Sequence, residues 1–473
     1  MNLIPEFKLK GYKYILFVLV ILMGLSSGQA RSQKSIKKFV RLPKNSLKVR
    51  FLQEVFYSAS DVKTKNSFNT LQGQSNYYHK SKRNSVKTNI GFMFSPQESS
   101  EGYLNAVEFY YEKYVNNWSF SLGRKKQDWV KSEAEWKIGL FDSYLRKNYF
   151  NPVRQGRMGL HIHYKKKSFE WLSFYSPMFI PHQEPNWSLD DGKLSSTNKW
   201  FQAPPSEVLI QGVSTPIKYT VQTPDVSAVV KNQQFASFIK FKNKYSWIKL
   251  AAAHKPMSSL HLQIVGDSSK LVTTSSQSYV PVRINPRVLY HNVSSLELGG
   301  RPSSSSFLWA SYSLDRPDRV NEKVLRQNEI YDRDFISAHM QQKFKMFGLR
   351  HKIKVSYLSI TSKGESKASG ASDPYFSQVD IPESIYLYSN AYKLEIKSYF
   401  DINNSKWSLK EKLIYSPKDK GGIVGFELKH VNNYNWHWVL GINIIGSDDL
   451  AKPSFFSKYL DNDQAYAGVS YVF

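Results

Sequence analysis

The chain has 473 residues, with 65 Lys and Arg against 38 Asp and Glu, a formal net charge of +27, and no cysteine. The lack of cysteine excludes disulfides and structural metal sites built on thiolates. The mean hydropathy is −0.46, and no long apolar run follows residue 30, which excludes a helical membrane protein but not one that crosses the bilayer with two-faced β-strands.

The chain begins with a segment typical of a secretory signal peptide. Three lysines among the first 13 residues precede an apolar run over 14–25, and Gly28 and Ala30 follow it. The run is about a dozen residues long, whereas a membrane-spanning helix needs roughly twenty. We therefore predict a signal peptide at 1–30, cleaved after Ala30; an uncleaved membrane anchor is the alternative.

A basic stretch follows the predicted cleavage site. Residues 31–50 contain eight basic side chains and no acidic one. Such a charge run is usually a solvated tail, so we assign 31–46 as a basic N-terminal segment that precedes the first strand. A periplasmic arm, or an arm that partly enters a pore, is the alternative.

From residue 47 onward, apolar and polar side chains alternate in segment after segment, which is the pattern of an amphipathic β-strand. Many of these segments have the length of about nine to eleven residues that a tilted strand needs to cross a bilayer. The candidate strands are 47–57, 86–94, 103–113, 118–125, 158–165, 169–176, 217–230, 235–242, 247–254, 260–264, 288–298, 308–314, 336–344, 353–360, 392–400, 407–415, 424–428, 434–444 and 465–473. Since single-chain bacterial barrels use even strand numbers, we predict an all-β fold, a transmembrane antiparallel β-barrel of about 18 strands (range 16 to 20) over 47–473.

The connections between the C-terminal candidate strands alternate between short and long. The brief ones are 300–306, 346–350, 401–405 and 430–433, and the long polar ones are 315–334, 361–390 and 446–463, with 416–421 as one short exception. Outer-membrane barrels have short periplasmic turns and longer outer loops, so this order places the C-terminus on the periplasmic side. A soluble all-β protein, the alternative, has no reason to sort its loops in this way.

The last strand carries an apolar or small side chain at every second position and ends in Val469, Tyr471 and Phe473. It resembles the C-terminal assembly signal of Gram-negative outer-membrane β-barrel proteins, which end in an amphipathic strand with an aromatic last residue. The resemblance implies that the barrel-assembly machinery reads this strand. It also implies an outer-membrane location, with membrane lipid and lipopolysaccharide as partners.

A second, local resemblance lies around Gly123 and Arg124, which end a candidate strand and are followed by Trp129. This pattern is similar to the Gly-Arg strand end with a following tryptophan in porins and alginate-export-type barrels. It implies a porin-like barrel.

Lysines are frequent on the faces opposite the apolar ones. The predicted lumen-lining residues are Lys165, Lys240, Lys242, Lys249, Lys343, Lys345, Lys354, Lys393, Lys397, Lys410, Lys412, Lys429, His161, His163 and His437. A positively charged channel attracts anions and repels cations. Alternatively, lysines near strand ends reach lipid headgroups or lipopolysaccharide.

Two further features are candidates for a functional role: a histidine pair and a long proline-rich segment. His161 and His163 share one strand face, but no nearby carboxylate or cysteine completes a metal site, so we predict no metal and no cofactor. The segment 176–205 is long and rich in proline and aromatic residues. We expect it to fold inward as a constriction; a cap outside the barrel is the alternative.

No GxSxG, HExxH or GxxxxGK motif occurs in the chain, so we predict no enzyme, although a hydrolase site assembled from separate strands stays open. The basic charge alone would suit nucleic acid, but export and the strand pattern argue against that partner.

We predict a porin-like channel for passive diffusion of small anionic or polar solutes, with a homotrimer or a lipoprotein partner as possible assemblies. The alternative is a loop-plugged barrel with a binding or structural role, whose partner is a lipoprotein or an envelope polymer.

Overall fold

The computed structural model describes residues 45–56, 67–96, 101–210, 212–266, 272–273, 278–318, 330–364, 386–402, 405–431, 435–449 and 454–473; the predicted signal peptide and most of the basic segment lie outside these ranges. Within them, an 18-stranded antiparallel sheet closes on itself through pairing of its first and last strands. The prediction of 18 strands is confirmed. In chain order the barrel strands are β1 (Ser46–Phe56), β2 (Ser67–Lys80), β3 (Asn84–Phe94), β4 (Tyr103–Val115), β5 (Trp118–Lys125), β6 (Arg157–Lys166), β7 (Phe169–Ser176), β8 (Gln234–Lys242), β9 (Ser246–Pro256), β10 (Tyr290–Gly300), β11 (Ser306–Pro317), β12 (Asp332–Met346), β13 (Leu349–Lys363), β14 (Asn390–Ile402), β15 (Ser405–Ser416), β16 (Gly421–Val431), β17 (Trp436–Ser447) and β18 (Gln464–Val472).

The two ends of the barrel differ in their connections. At the end where β1 begins and β18 ends, the links between strands are two to five residues long. At the other end every link except 417–420 has eight residues or more. We call these the short-turn end and the long-loop end, and in outer-membrane barrels the short turns face the periplasm.

The predicted alternation places one face of each strand outside and one inside the barrel. In β17, Trp438 and Leu440 are each 55% exposed on the outer face, whereas Val439 between them is buried on the inner face. The outer faces of β4 and β5 likewise carry large exposed apolar side chains, among them Leu104, Phe109 and Leu122. An exposed apolar belt of this kind is the surface that a transmembrane barrel presents to lipid.

One barrel strand is absent from the sequence prediction. The outer face of β2 has Gly73 at its middle, so the apolar alternation is interrupted there. Gly73 is paired with Phe92 of β3, and a Cβ built on Gly73 would lie 2.0 Å from the Phe92 ring. The ring therefore covers the glycine and restores an apolar surface that β2 alone does not encode.

Two candidate strands lie outside the barrel, which corrects the prediction for 217–230 and 260–264. Val213–Val221 and His261–Gly266 belong to a small sheet of the long loops, together with Glu207–Ile210 and Ser278–Arg287. This sheet contains a parallel pair, Ile217 opposite Val280, and has its own buried core. Its strands alternate because they cover that core, not because they face lipid.

The helices of the described ranges are short: α1 (Lys131–Trp136), α2 (Val226–Val230) and α3 (Phe455–Lys458). None of them is long and apolar enough to cross a membrane.

Candidate functional site: a plugged lumen and a lateral cavity

Residues 126–156, which connect β5 to β6 and include α1, fold into the barrel; we call this segment the plug. At its centre Trp129 is 1% exposed. Its ring centroid lies 5.8 Å from that of Phe141 in the plug, 6.2 Å from Phe174 on β7 and 5.9 Å from Phe238 on β8. Trp129, which follows the Gly-Arg strand end in the sequence, thus joins the plug to the barrel wall.

The plug shares a hydrophobic core with one side of the wall. Plug side chains such as Trp136, Leu140 and Phe150 pack with inward side chains of ten strands, β7–β10 and β12–β17. Among the described residues, none from β1–β6 or β18 belongs to this cluster. The plug is therefore fixed against one arc of the barrel, and the other arc lies outside this hydrophobic core.

An ion-pair cluster holds α1 to the same arc. Glu135 lies 2.6 Å from Lys354 on β13 and 2.6 Å from Lys393 on β14. Burial opposes ionisation of this carboxyl, but the two lysines outweigh burial and lower the pKa of Glu135 to about 2. Two of the predicted lumen lysines consequently anchor the plug, and Lys249 does the same by donating a hydrogen bond to the Asp128 carbonyl.

A buried polar cluster on β9–β11 also contacts the plug. Lys255 donates to the Leu140 carbonyl at 3.1 Å and to Ser258 Oγ at 3.0 Å, and its Nζ lies 3.3 Å from His291 Nε2. His291 Nδ1 is 2.7 Å from Asp315 Oδ1. These residue types also occur in hydrolases, but the adjoining cavity has a volume of only about 10 Å³, too small for a substrate. The cluster therefore acts as an anchor for the plug.

On the opposite side, a cavity of about 370 Å³ separates the plug from the wall. We call it the lateral cavity. It is bounded by β1–β4, β16 and β18, by plug residues between 145 and 153, and by residues 198–200. Phe56 at the long-loop end of β1 and Lys429 on β16 both line it, so the cavity extends beside the plug along the inner face of the wall.

Both polar and apolar side chains line the lateral cavity. Asn148 of the plug donates to Glu54 Oε1 of β1 at 3.3 Å, and Lys429 lies 2.7 Å from Glu427 on the same strand. Two basic groups of the lining are buried but not paired in this way. Arg50 Nε and Lys147 Nζ have no hydrogen-bond acceptor among the described residues. The cavity thus offers donors from both the wall and the plug.

The other predicted lumen lysines lie on inward faces, and their pairing varies. Lys410 is 3.2 Å from Glu395. In contrast, Lys343, Lys345, Lys397 and Lys412 form no ion pair with another residue of the described ranges. Lys165, Lys240 and Lys242 occupy the inward faces of β6 and β8, towards the short-turn end.

The histidines are not equivalent. His161 is fully buried, with its ring 4.6 Å from Phe174 and Nδ1 3.4 Å from Gln127 of the plug. His163 lies 3.1 Å from Glu170, and His437 is on the inward face of β17. No group of three or more potential metal ligands occurs in the ranges that the structure describes.

The segment 176–205, expected to fold inward as a constriction, does so only in part: Gln183 exchanges backbone hydrogen bonds with Tyr144 and Arg146 of the plug. Much of that segment lies at the long-loop end, where Ser188–Asp190 and Lys193–Ser195 form an exposed hairpin. It contributes Trp200 to the lumen, packed 4.8 Å from Phe150 of the plug. The plug itself is the segment 126–156, and its aromatic residues, too many for a solvated loop, are the sequence signal that could have identified it.

The residues of the predicted assembly signal, Val469, Tyr471 and Phe473, lie on the outer face at the short-turn end. The Tyr471 ring is 5.0 Å from Trp436 and 4.7 Å from Phe473. The Phe473 amide donates to the Leu47 carbonyl of β1 at 2.9 Å. The terminal residue is therefore part of the seam that closes the barrel.

No protein-family model and no curated protein matches the chain. Among solved structures it is similar to Wzi, an outer-membrane protein involved in group 1 capsule assembly in Escherichia coli and a carbohydrate-binding β-barrel, at 8% identity and TM-score 0.44, over 90% of this chain and 84% of that one. It is also similar to Acinetobacter baumannii OccAB4, at 9% identity and TM-score 0.42, over 90% and 96% of the two chains. A porin mutant of Rh. blastica matches at 9% identity and TM-score 0.37, over 91% and 99%. At such identities and TM-scores the similarity extends to the β-barrel architecture and no further.

Proposed function

We propose that the protein is an outer-membrane channel through which small polar solutes diffuse past the plug, with a preference for anions. It is exported through a signal peptide cleaved after Ala30 and inserted by the barrel-assembly machinery. The lateral cavity supports this proposal, because it extends beside the plug and its lining includes polar and charged groups. The buried Ser258 cluster supports no catalytic role, since a substrate has no room beside it.

The preference for anions rests on three of the inward lysines that form no ion pair within the described ranges, Lys343, Lys345 and Lys397. They do not line the lateral cavity; they lie on the inner wall towards the short-turn end, where solutes enter or leave the barrel. Their charges lie on β12 and β14, which are separated only by β13. Charges within a Debye length of about 8–10 Å of a solute path add to one potential. Lys354 and Lys393 contribute less, because Glu135 compensates them.

A planar-bilayer recording of the refolded protein tests this proposal. In a salt gradient the reversal potential should indicate that anions carry most of the current, and the preference should fade as salt rises. Changing Lys343, Lys345 and Lys397 to glutamate should move the reversal potential towards cations. The matched control changes Lys82, Lys167 and Lys244, which lie in exposed short turns, to glutamate. A shift of equal size in the control would contradict a lumen origin of the selectivity.

A second candidate function is supported by the hydrophobic core that the plug forms with ten strands. In that case the barrel is closed and has a binding or structural role, and its long-loop end presents a surface to a lipoprotein or an envelope polymer. A folded protein that carries no ion current would favour this candidate over the channel.

A further inference from the structure

We propose that the lateral cavity is a binding site for an acidic sugar of one or two rings, meaning a hydroxylated ring compound with a single carboxylate. This inference rests on the proposed function, because it assigns a solute class to the same passage. The cavity volume of about 370 Å³ lies in the range of small-molecule sites, roughly 300–1,000 Å³.

The carboxylate is indicated by the two unmatched basic groups. Arg50 comes from the wall and Lys147 from the plug, and both line the cavity with a buried N–H donor that has no acceptor among the described residues. Buried donors normally find a partner. A carboxylate that enters the cavity would supply the acceptor that these donors lack, and the planar guanidinium of Arg50 suits it geometrically.

The formal charges of the lining favour a singly charged anion. Four cationic side chains, Arg50, Lys147, Lys199 and Lys429, face three anionic ones, Glu54, Glu101 and Glu427. The surplus is one positive charge, which a monocarboxylate neutralises. A phosphate ester with nearly two negative charges would leave the site anionic, so the lining disfavours it.

The hydroxyl groups are indicated by the mixture of acceptors and donors. A sugar hydroxyl both donates and accepts, and the lining offers carboxylates such as Glu54 and amides such as Gln72 and Asn151. Tyr103, Trp200 and Tyr466 add aromatic surface, on which the C–H face of a sugar ring can pack. A linear carboxylate would use the basic groups but not this surface.

The test uses the full-length refolded protein in a planar bilayer, with glucuronate as the probe. Glucuronate should reduce the ion current in a saturable way, whereas glucose, which lacks the carboxylate, and acetate, which lacks the ring, should each be at least tenfold weaker. Equal block by acetate and glucuronate would overturn the proposal, because it would mean that charge alone is recognised.

Two variants locate the site. Arg50→Gln and Lys147→Gln should each weaken the block by glucuronate about tenfold or more, the loss typical of one charge-assisted hydrogen bond. The control Lys82→Gln makes the same charge change in an exposed short turn and should keep wild-type block. The heat-dependent gel shift of a folded barrel verifies each variant. Block that persists in both cavity variants would overturn the proposal.

A separate readout keeps this inference apart from the proposed function. If the protein conducts no ions, the channel is wrong, but calorimetric titration of the detergent-solubilised barrel with glucuronate still decides the binding site. Saturable heat that is lost in Arg50→Gln would then support the site in a closed barrel. Absence of glucuronate binding by titration would overturn it, whatever the conductance.

Discussion

The barrel wall consists of two arcs. Both have apolar outer faces, but their inward side chains differ. On the packed arc, β7–β17, inward positions near the plug carry apolar side chains such as Leu172, Phe238 and Ile414. On the open arc, β18 and β1–β6, many inward positions carry polar or charged groups, for example Gln74, which donates to Asn89 at 3.3 Å, and Lys87, which pairs with Glu108 at 2.6 Å. The outer faces of both arcs are apolar. Lipid contact is therefore encoded uniformly, whereas the inner face determines whether the lumen is solid or wet.

The plug packs against this arc because small side chains of the wall face large aromatic side chains of the plug. Small wall residues such as Ala236, Ala251 and Ala391 face the plug's large aromatic side chains within one buried cluster. Alternation of small and large residues across an interface permits close packing without voids. The open arc offers amides and tyrosines instead, which keep hydrogen bonds to water at no cost.

The largest expected effect comes from removing the plug. Replacement of residues 127–154 by a short Gly-Ser linker should raise the single-channel conductance several-fold, because an 18-stranded wall encloses an aqueous channel once its lumen is empty. The measurement is a bilayer recording on protein whose folding is verified by heat-modifiability. Replacement of the exposed hairpin residues 187–196 is the matched control and should leave conductance near wild type. Unchanged conductance without the plug would show that the plug does not limit the passage.

The next effect separates inner from outer aromatic residues. Trp129→Ala should cost about 3–5 kcal/mol of plug docking, the usual cost of deleting a buried tryptophan, because its ring contacts both the plug and the wall. Hydrogen exchange of the plug amides measures this cost as faster opening. Trp436→Ala on the lipid face is the control and should leave plug exchange unchanged. Equal acceleration by both substitutions would mean that the plug and the barrel open together.

A third effect depends on pH. Burial, with the nearby Asp142 carboxyl, raises the pKa of Glu133 to about 7. A carboxyl with a raised folded-state pKa stabilises the fold fully at pH values below its ordinary pKa, and this contribution is lost as pH rises through 7. Plug docking in the wild type should therefore weaken by about 2–3 kcal/mol between pH 5 and 8.

The variant Glu133→Gln tests this assignment. Glutamine retains an oxygen that can accept from the amides of Phe141 and Asp142, which lie 2.8 and 3.0 Å from Glu133 Oε1. The pH dependence of plug exchange between pH 5 and 8 should become markedly shallower in this variant. An identical pH profile in variant and wild type would assign the titration to another group.

Much of this architecture could be predicted from the sequence, because the period of two is a local property. It identified seventeen barrel strands and the sorting of short and long connections. It could not identify β2, since the apolar cover over Gly73 is supplied by Phe92 on another strand. The local pattern fails wherever one strand completes the surface of another.

The candidate site was less predictable, because it depends on contacts between distant parts of the chain. Strand period is sufficient to predict that Lys354 faces inward, but its partner Glu135 lies 219 residues away. The plug itself gives no periodic signal, and its position follows from the fit of aromatic residues to alanines on other strands. Contacts of this kind between distant residues cannot be predicted from the pattern of any single segment.

The smallest effect concerns one of the contacts between the plug and the open arc. Asn148 donates to Glu54 Oε1, which also accepts from Gln464 of β18. Asn148→Ala should cost about 1 kcal/mol, the net value of one hydrogen bond, because Glu54 keeps its second donor. Hydrogen exchange of plug amides near residue 148 should accelerate slightly, while those around Trp129 should not change. If both regions accelerate by the factor seen for Trp129→Ala, the open arc holds the plug as firmly as the packed arc, and the division between the two arcs is wrong.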